Sequence, residues 1–163
     1  MCSPPDIRAW QPELAGDLMA LIALPQISLA CFGARLSPDD LARLVGQGWH
    51  GAPAEGEVRC SAFDATGRLV GAGAVEGRTL SYFVDPGHWG RGIATALAMQ
   101  LCHRARRELD LASILAWVER ENRASERVLH KCGFRFAGLQ HRRLIPGRRE
   151  TDMRPLLLYR LAP

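Results

Sequence analysis

No stretch of the 163-residue chain approaches the ~20 consecutive apolar residues that a membrane-spanning helix requires, so the sequence points to no membrane partner. Its opening residues, MCSPPDIRAW, lack the basic-then-apolar order of a secretory signal. Cysteine is sparse and scattered. Cys2, Cys31, Cys60, Cys102 and Cys132 are odd in number and form no CxxC pair, which argues against a disulfide framework and a zinc site and fits a reducing cytoplasm. Linkers, internal repeats and low-complexity segments are also missing. What is present, 47% hydrophobic and 23% charged residues, is the composition of a soluble globular protein. A chain this long hides roughly two-thirds of its unfolded surface, and one domain over residues 1–163 is expected. The formal charge of +4 hints at an anionic ligand without naming one.

The pattern of apolar residues changes period along the chain. DIRAW reads as a short strand. In PELAGDLMALIAL, Leu14, Leu18, Leu21 and Ile22 fall at helical spacing, Pro12 suits the first turn, and Pro25 is expected to end the helix. SPDDLARLV carries a second start signal, with Ser37 as cap, Pro38 behind it and two acids in the first turn. Three strands are predicted next, Glu57–Phe63, Leu69–Glu76 and Thr79–Val84, with turns at DATG and Gly77. Ile93 to Leu109 then reads as a long helix. One stripe on it is Ile93, Leu97 and Leu101, and a second, of small residues, is Ala94, Ala98, Cys102 and Ala105. SILAWV is expected to be a strand covered on both faces, and RASERVLHKC a short helix stopped by Gly133. FRFAGLQ and LLLYRL are the last strands, joined through the basic HRRLIPGRRE. The order β-α-α-β-β-β-α-β-α-β-β is that of a mixed α/β domain with one core.

Between the third of the middle strands and the long helix stands DPGHWGRGIATAL, Asp85 to Leu97. Gly87, Gly90 and Gly92 let backbone approach a ligand closely. The first N–H groups of a helix lack internal partners and carry partial positive charge, a place suited to phosphate. A plain turn would look the same locally. The stretch is no P-loop, because no Gly-Lys-Ser/Thr follows. It is no dinucleotide fingerprint either, since Thr95 stands where a third glycine or alanine belongs.

A second stretch, NRASERVLHKCGF, lies after the next strand. With YFVDPGHWGRGIATAL and the order of elements, it resembles the GNAT superfamily of acetyl-CoA-dependent N-acetyltransferases. Trp89 at the head of the loop is similar to the Rim-like, ribosomal-protein N-acetyltransferase-like branch. The resemblance implies a single α/β GNAT-like domain: a mixed, mostly antiparallel sheet of about seven strands flanked by about four helices. It implies acetyl-CoA as cosubstrate and no metal. By position, Trp89, Gly90, Arg91, Gly92, Ile93, Ala94 and Thr95 would hold the pyrophosphate of CoA. Tyr82, Phe83 and Val84 would run along the pantetheine arm, pairing with its amides as an added strand does, and Asn122 would contact the same arm.

Acetyl transfer to an amine requires removal of a proton from the amine, donors for the oxyanion, and a proton for the departing thiolate. The backbone N–H of Phe83 or Val84 would serve the oxyanion. The resembling family carries Ser at the position of Ser125, one turn into the helix beside the proposed channel, where it would meet the thiolate; the tyrosine that many family members carry near Leu129 is missing here, which puts weight on Ser125. Asn122 is also a plain helix N-cap by position. Glu76 and Glu119 are the candidate bases, each equally readable as a surface acid, and a base acting through water is a further option. Cys132 reads as packing, since no activating partner stands beside it. A CoA-binding module without catalysis is the alternative reading. A nucleic-acid binder has less support, for Arg104, Arg106 and Arg107 and the hairpin arginines are not interleaved with aromatics. The partners expected are acetyl-CoA and an amine acceptor, in a monomer or homodimer. Arg142, Arg143, Arg148 and Arg149, against the single Glu150, predict a neutral or acidic acceptor.

Overall fold

The computed structural model describes residues 5–46, 49–143 and 153–163. Within them the chain forms seven strands, β1 Asp6–Ala9, β2 Glu57–Phe63, β3 Leu69–Glu76, β4 Thr79–Val84, β5 Ile114–Glu119, β6 Arg135–Arg142 and β7 Arg154–Leu161. The five α-helices are α1 Ala15–Ala23, α2 Pro25–Phe32, α3 Pro38–Gly46, α4 Ile93–Leu109 and α5 Arg123–Lys131. The strands lie in one sheet in the order β1-β2-β3-β4-β5-β7-β6. All neighbours are antiparallel except β4 and β5. Those two run parallel and meet only at Thr79 and Leu115, where the Leu115 N–H donates to the Arg78 carbonyl at 2.8 Å. Past that point they splay apart and open a gap in the middle of the sheet.

The middle hairpins follow from local chemistry. Asp64 accepts from the Thr66 N–H at 2.9 Å and the Arg68 N–H at 3.1 Å, closing the turn between β2 and β3. The small residues of β3 are explained by the helix above it. A Cβ on Gly73 would stand 2.6 Å from the Ser81 carbonyl oxygen and 2.7 Å from Leu101 Cδ1, so α4 approaches the sheet as closely as a bare backbone allows. Leu97, Ala98, Leu101, Cys102 and Ala105 of α4 are buried there with Val58, Val75 and Leu80. The opposite face is covered by α1 to α3, around Trp10, Leu18, Ile22, Phe32 and Val45.

Ser37 and Asp40 close the start of α3 reciprocally. The Asp40 N–H donates to Ser37 Oγ at 3.1 Å, and the Asp40 carboxylate accepts from the Ser37 N–H at 2.9 Å. Gly133, at φ 88°, ends the turn after α5, and the Phe134 N–H returns to the Leu129 carbonyl at 3.0 Å.

Two expectations change. Pro25 does not simply stop a helix: it also opens α2, a fifth helix, and the path bends by 80° there. Proline suits that first position because its missing N–H would have had no partner. β5 is not sealed on both faces either. Ile114, Ala116 and Val118 are buried, but Leu115 and Trp117 are only half-buried, because the gap beside β4 leaves their side open. Arg142 stacks over the Trp117 ring at 3.7 Å. Arg148, Arg149 and Glu150 lie outside the described residues. On α4, Arg104 is drawn into structure, donating to Glu108 and to the Arg59 carbonyl, while Arg106 donates to the Ala162 carbonyl.

Candidate active site

The glycine turn is built from its own side chains. Asp85 accepts the Gly87 N–H at 2.9 Å through Oδ1 and pairs with Arg68 at 2.8 Å through Oδ2. His88 sits between Asp64 and Asp85, 3.7 and 3.6 Å from their carboxylates. The Trp89 indole N–H donates to the Val84 carbonyl at 2.7 Å, which folds the loop back on the end of β4 and leaves the ring half-exposed. Gly90 and Gly92 adopt φ of 77° and 79°. That left-handed region disfavours any side chain, and a Cβ at either glycine would meet nothing within 4 Å, so the outer face of the turn is open. The Ala96 N–H bonds the Gly92 carbonyl at 3.0 Å, so the N–H groups of Ile93, Ala94 and Thr95 have no intrahelical acceptor. Ile93 buries its side chain beside Val70 and Val84 and offers only backbone to the turn. A diphosphate fits this cradle: bare N–H groups, a helix N-terminus and no side chain in the way.

Strand alternation decides which amides of β4 face the gap. The Asp85 N–H donates to Val70 of β3 at 2.8 Å, so the Phe83 N–H, expected at the oxyanion, lies in the β3 ladder instead, and those of Tyr82 and Val84 turn toward β5. Side chains divide the same way. Tyr82 packs toward α5, and Phe83 stacks on Phe32 of α2, with ring centroids 5.8 Å apart.

The gap opens into a cavity of about 490 Å³. Ser81, Tyr82 and Phe83 of β4, Ala116 to Glu119 of β5, the cap residue Asn122, and Ser125 and Leu129 of α5 line it. Asn122 caps α5: its Oδ1 accepts the Ser125 N–H at 3.1 Å, and its Nδ2 donates to the Ala30 carbonyl at 3.0 Å. Ser125 Oγ lies 2.7 Å from the Tyr82 hydroxyl. Burial pushes the Tyr82 phenol above its ordinary pKa, with the Ser125 bond pulling the other way. Glu119 is buried at the end of β5 and forms an ion pair with Arg154 Nε at 2.9 Å. Burial raises its pKa and Arg154 opposes that rise. Glu76 stands exposed at the end of β3 and lines the cavity mouth. Cys132 donates to the Thr95 carbonyl at 3.7 Å, and burial pushes its thiol up, as suits a packing residue.

Ser125, Glu119, Glu76, Asn122 and Tyr82 therefore surround one cavity, and the glycine turn begins where β4 leaves it. Sequence reasoning had not found the Tyr82–Ser125 contact, the Arg154 partner of Glu119, or the wall made by Trp49, Glu57 and Arg59. Arg59 pairs with Glu57 at 2.5 Å, and its guanidinium sits 4.9 Å from the centre of the Trp49 ring. No local signal announces those pairings. Among the described residues no cluster of three or more His, Cys, Asp or Glu side chains is arranged to hold a metal ion.

Residues 6–135 match the family model described as acetyltransferase (GNAT) domain. No curated protein matches the chain. Solved structures do. The spermidine N-acetyltransferase from Vibrio cholerae in complex with CoA and spermine superposes with a TM-score of 0.74 at 21% identity, covering 98% of this chain and 96% of that one. A GNAT-family acetyltransferase from Bacillus anthracis gives 0.73 at 18%, covering 99% and 96%. An aminoglycoside acetyltransferase in complex with coenzyme A gives 0.70 at 15%, covering 98% and 95%. At such identities the likeness is one of fold.

Proposed function

Because this chain belongs to the acetyltransferase (GNAT) domain family, and is thus an acetyl-CoA-dependent N-acetyltransferase, we propose that its acceptor is a neutral or acidic primary amine, such as a peptide or protein N-terminus or an amino-acid-like amine, in the manner of the Rim-like branch. The observation that carries this is the charge around the cavity. Arg43, Arg59, Arg142 and Arg143 line it against Glu57, Glu76 and Glu119. Glu57 and Glu119 each face an arginine partner, Arg59 and Arg154. The lining offers a polycation little net attraction, and an acidic acceptor meets the guanidinium of Arg142 where it stacks over Trp117 at the cavity wall.

The residues take roles in keeping with the geometry. Trp89 to Thr95 receive the diphosphate on backbone N–H groups. The gap-facing N–H of Tyr82 and Val84 meets the pantetheine arm or the developing oxyanion. Ser125 meets the leaving sulfur. Glu119, a buried carboxylate whose pKa is raised toward the working range of a base, takes the proton of the amine directly or through water. Glu76, exposed at the cavity mouth, is the alternative base. The protein works as a single domain in a reducing compartment, with Cys31, Cys60, Cys102 and Cys132 as free thiols.

The experiment is thiol release from acetyl-CoA against a panel of amines, with spermidine and an acidic N-terminal peptide in direct competition at low ionic strength. Preference for the peptide, weakening as salt rises, supports the reading. Preference for spermidine overturns it, and CoA binding without turnover on any amine points to a non-catalytic CoA-binding module.

A further inference from the structure

Ser125 meets a partner far from it in sequence. We propose that Tyr82 is a positioning residue for departure of the thiol: its O–H donates to Ser125 Oγ and thereby turns the serine hydrogen into the gap, toward the sulfur. This rests on the acetyl-transfer reading and gives a specific role to a side chain which that reading uses only as a wall of the pantetheine channel.

A serine hydroxyl has one hydrogen to give. The 2.7 Å contact between Tyr82 and Ser125 admits two arrangements. In one, Ser125 donates to the phenol, and the phenol hydrogen is left with the Ser125 carbonyl, 3.4 Å away and at the long limit of a hydrogen bond. In the other, the phenol donates to Oγ, and the serine hydrogen is available to the cavity that Ser125 lines. Negative charge growing on a sulfur in the gap selects the second. The phenol keeps its proton for this task, because burial holds its pKa above the ordinary tyrosine value. Ser125 is also fixed from behind, since Asn122 accepts its N–H and is itself tied to α2. The hydroxyl thus has one soft freedom, rotation of its hydrogen, and Tyr82 controls it.

The step balances. The amine nitrogen forms a bond to the acetyl carbon, and the C–S bond breaks with its electron pair staying on sulfur. Ser125 gives its hydrogen to that sulfur while Tyr82 shares its own with Ser125 Oγ. Glu119 takes the proton released by the amine, directly or through water, and the Tyr82–Ser125 pair regains its proton from solvent as the products leave, so the net transfer is one proton from nitrogen to sulfur.

The test uses the full chain and CoA itself, and needs no knowledge of the acceptor. Calorimetry establishes CoA binding, and ultraviolet absorbance of the thiolate follows ionisation of the bound thiol with pH. In the wild-type protein the bound thiol should ionise at lower pH than in free CoA. Tyr82→Phe should cut the thiolate population at a fixed pH about 2- to 10-fold, the worth of one hydrogen bond, with CoA affinity little changed. In a Ser125→Ala background the same substitution should have no effect, which a merely structural tyrosine would not produce. Ser125→Thr, which keeps a hydroxyl, should retain the dependence on Tyr82. With the best acceptor from the panel, kcat should fall about tenfold in Tyr82→Phe while KM for acetyl-CoA holds. Identical thiol titrations in wild type and Tyr82→Phe, or equal losses in both backgrounds, overturn the proposal alone. Absence of CoA binding overturns it together with the acetyl-transfer reading.

Discussion

Gly92 is the position at which the anion cradle is most sharply testable. It combines a left-handed φ of 79° with open space where a Cβ would project. Any side chain there therefore costs conformational energy, about 1 kcal/mol, without a clash. Asn and Asp tolerate that region better than other residues and are nearly the same size, so Gly92→Asn and Gly92→Asp differ mainly by one negative charge. Two unit charges about 5 Å apart repel by about 1–3 kcal/mol for effective dielectric constants between 80 and 20. CoA should thus bind the Asp variant about 5- to 150-fold more weakly than the Asn variant, while both lose similar stability. Isothermal calorimetry measures the first difference and urea unfolding checks the second. Because the turn is exposed, the gap in affinity should narrow as salt shortens the Debye length from ~30 Å at 0.01 M to ~8 Å at physiological strength. Equal affinity of the Asn and Asp variants at low salt would show that the diphosphate does not sit at this helix start.

Two further perturbations probe the frame around the site. Gly73→Ala would drive a methyl into the Ser81 carbonyl and Leu101, at 2.6 and 2.7 Å, and backbone cannot yield there cheaply; a loss of about 1–3 kcal/mol in urea unfolding is expected, and a loss below about 0.5 kcal/mol would mean that α4 sits farther from the sheet. Arg154→Ala would leave Glu119 buried without its cation, at a cost of about 1–3 kcal/mol at neutral pH. That is less than a fully buried pair loses, because Arg154 is 41% exposed. The sign with pH follows from the raised pKa of Glu119: the unfolded chain ionises this carboxyl first, so its contribution to stability is lost as pH rises from about 4.3 toward the folded value. The variant should lose more over that window than the wild type, read from unfolding midpoints across pH, and a pH-independent difference would discard Glu119 as the cause.

What depends on short-range chemistry is legible in the sequence alone. The runs Glu57–Phe63, Leu69–Glu76 and Thr79–Val84, bounded by the turns at DATG and Gly77, and the 3.6-residue period of Ile93–Leu109 locate those elements to their ends. Ser37 before Pro38 marks a helix start, and the glycines after Asp85 mark a turn in which Gly90 and Gly92 are left-handed, because caps and turns are satisfied by atoms a few residues away. Pro25 is read from sequence as a stop, yet proline suits the first residue of a helix as well as the end of one, and only the packing of α2 shows that it opens a new helix too. Tertiary structure decided the rest. Nothing local places β7 between β5 and β6, or limits the parallel contact of β4 and β5 to Thr79 and Leu115. Tyr82 reaches Ser125 across 43 residues, and Arg154 reaches Glu119 from the far end of the chain. Such contacts form only after the loops between them have closed, and they are chosen by burial of the central strands between two layers of helices. The apolar pattern tells each strand which face to bury, but neighbour and register are properties of the assembled core, and the gap that makes the site is the place where that assembly leaves two strands unpaired.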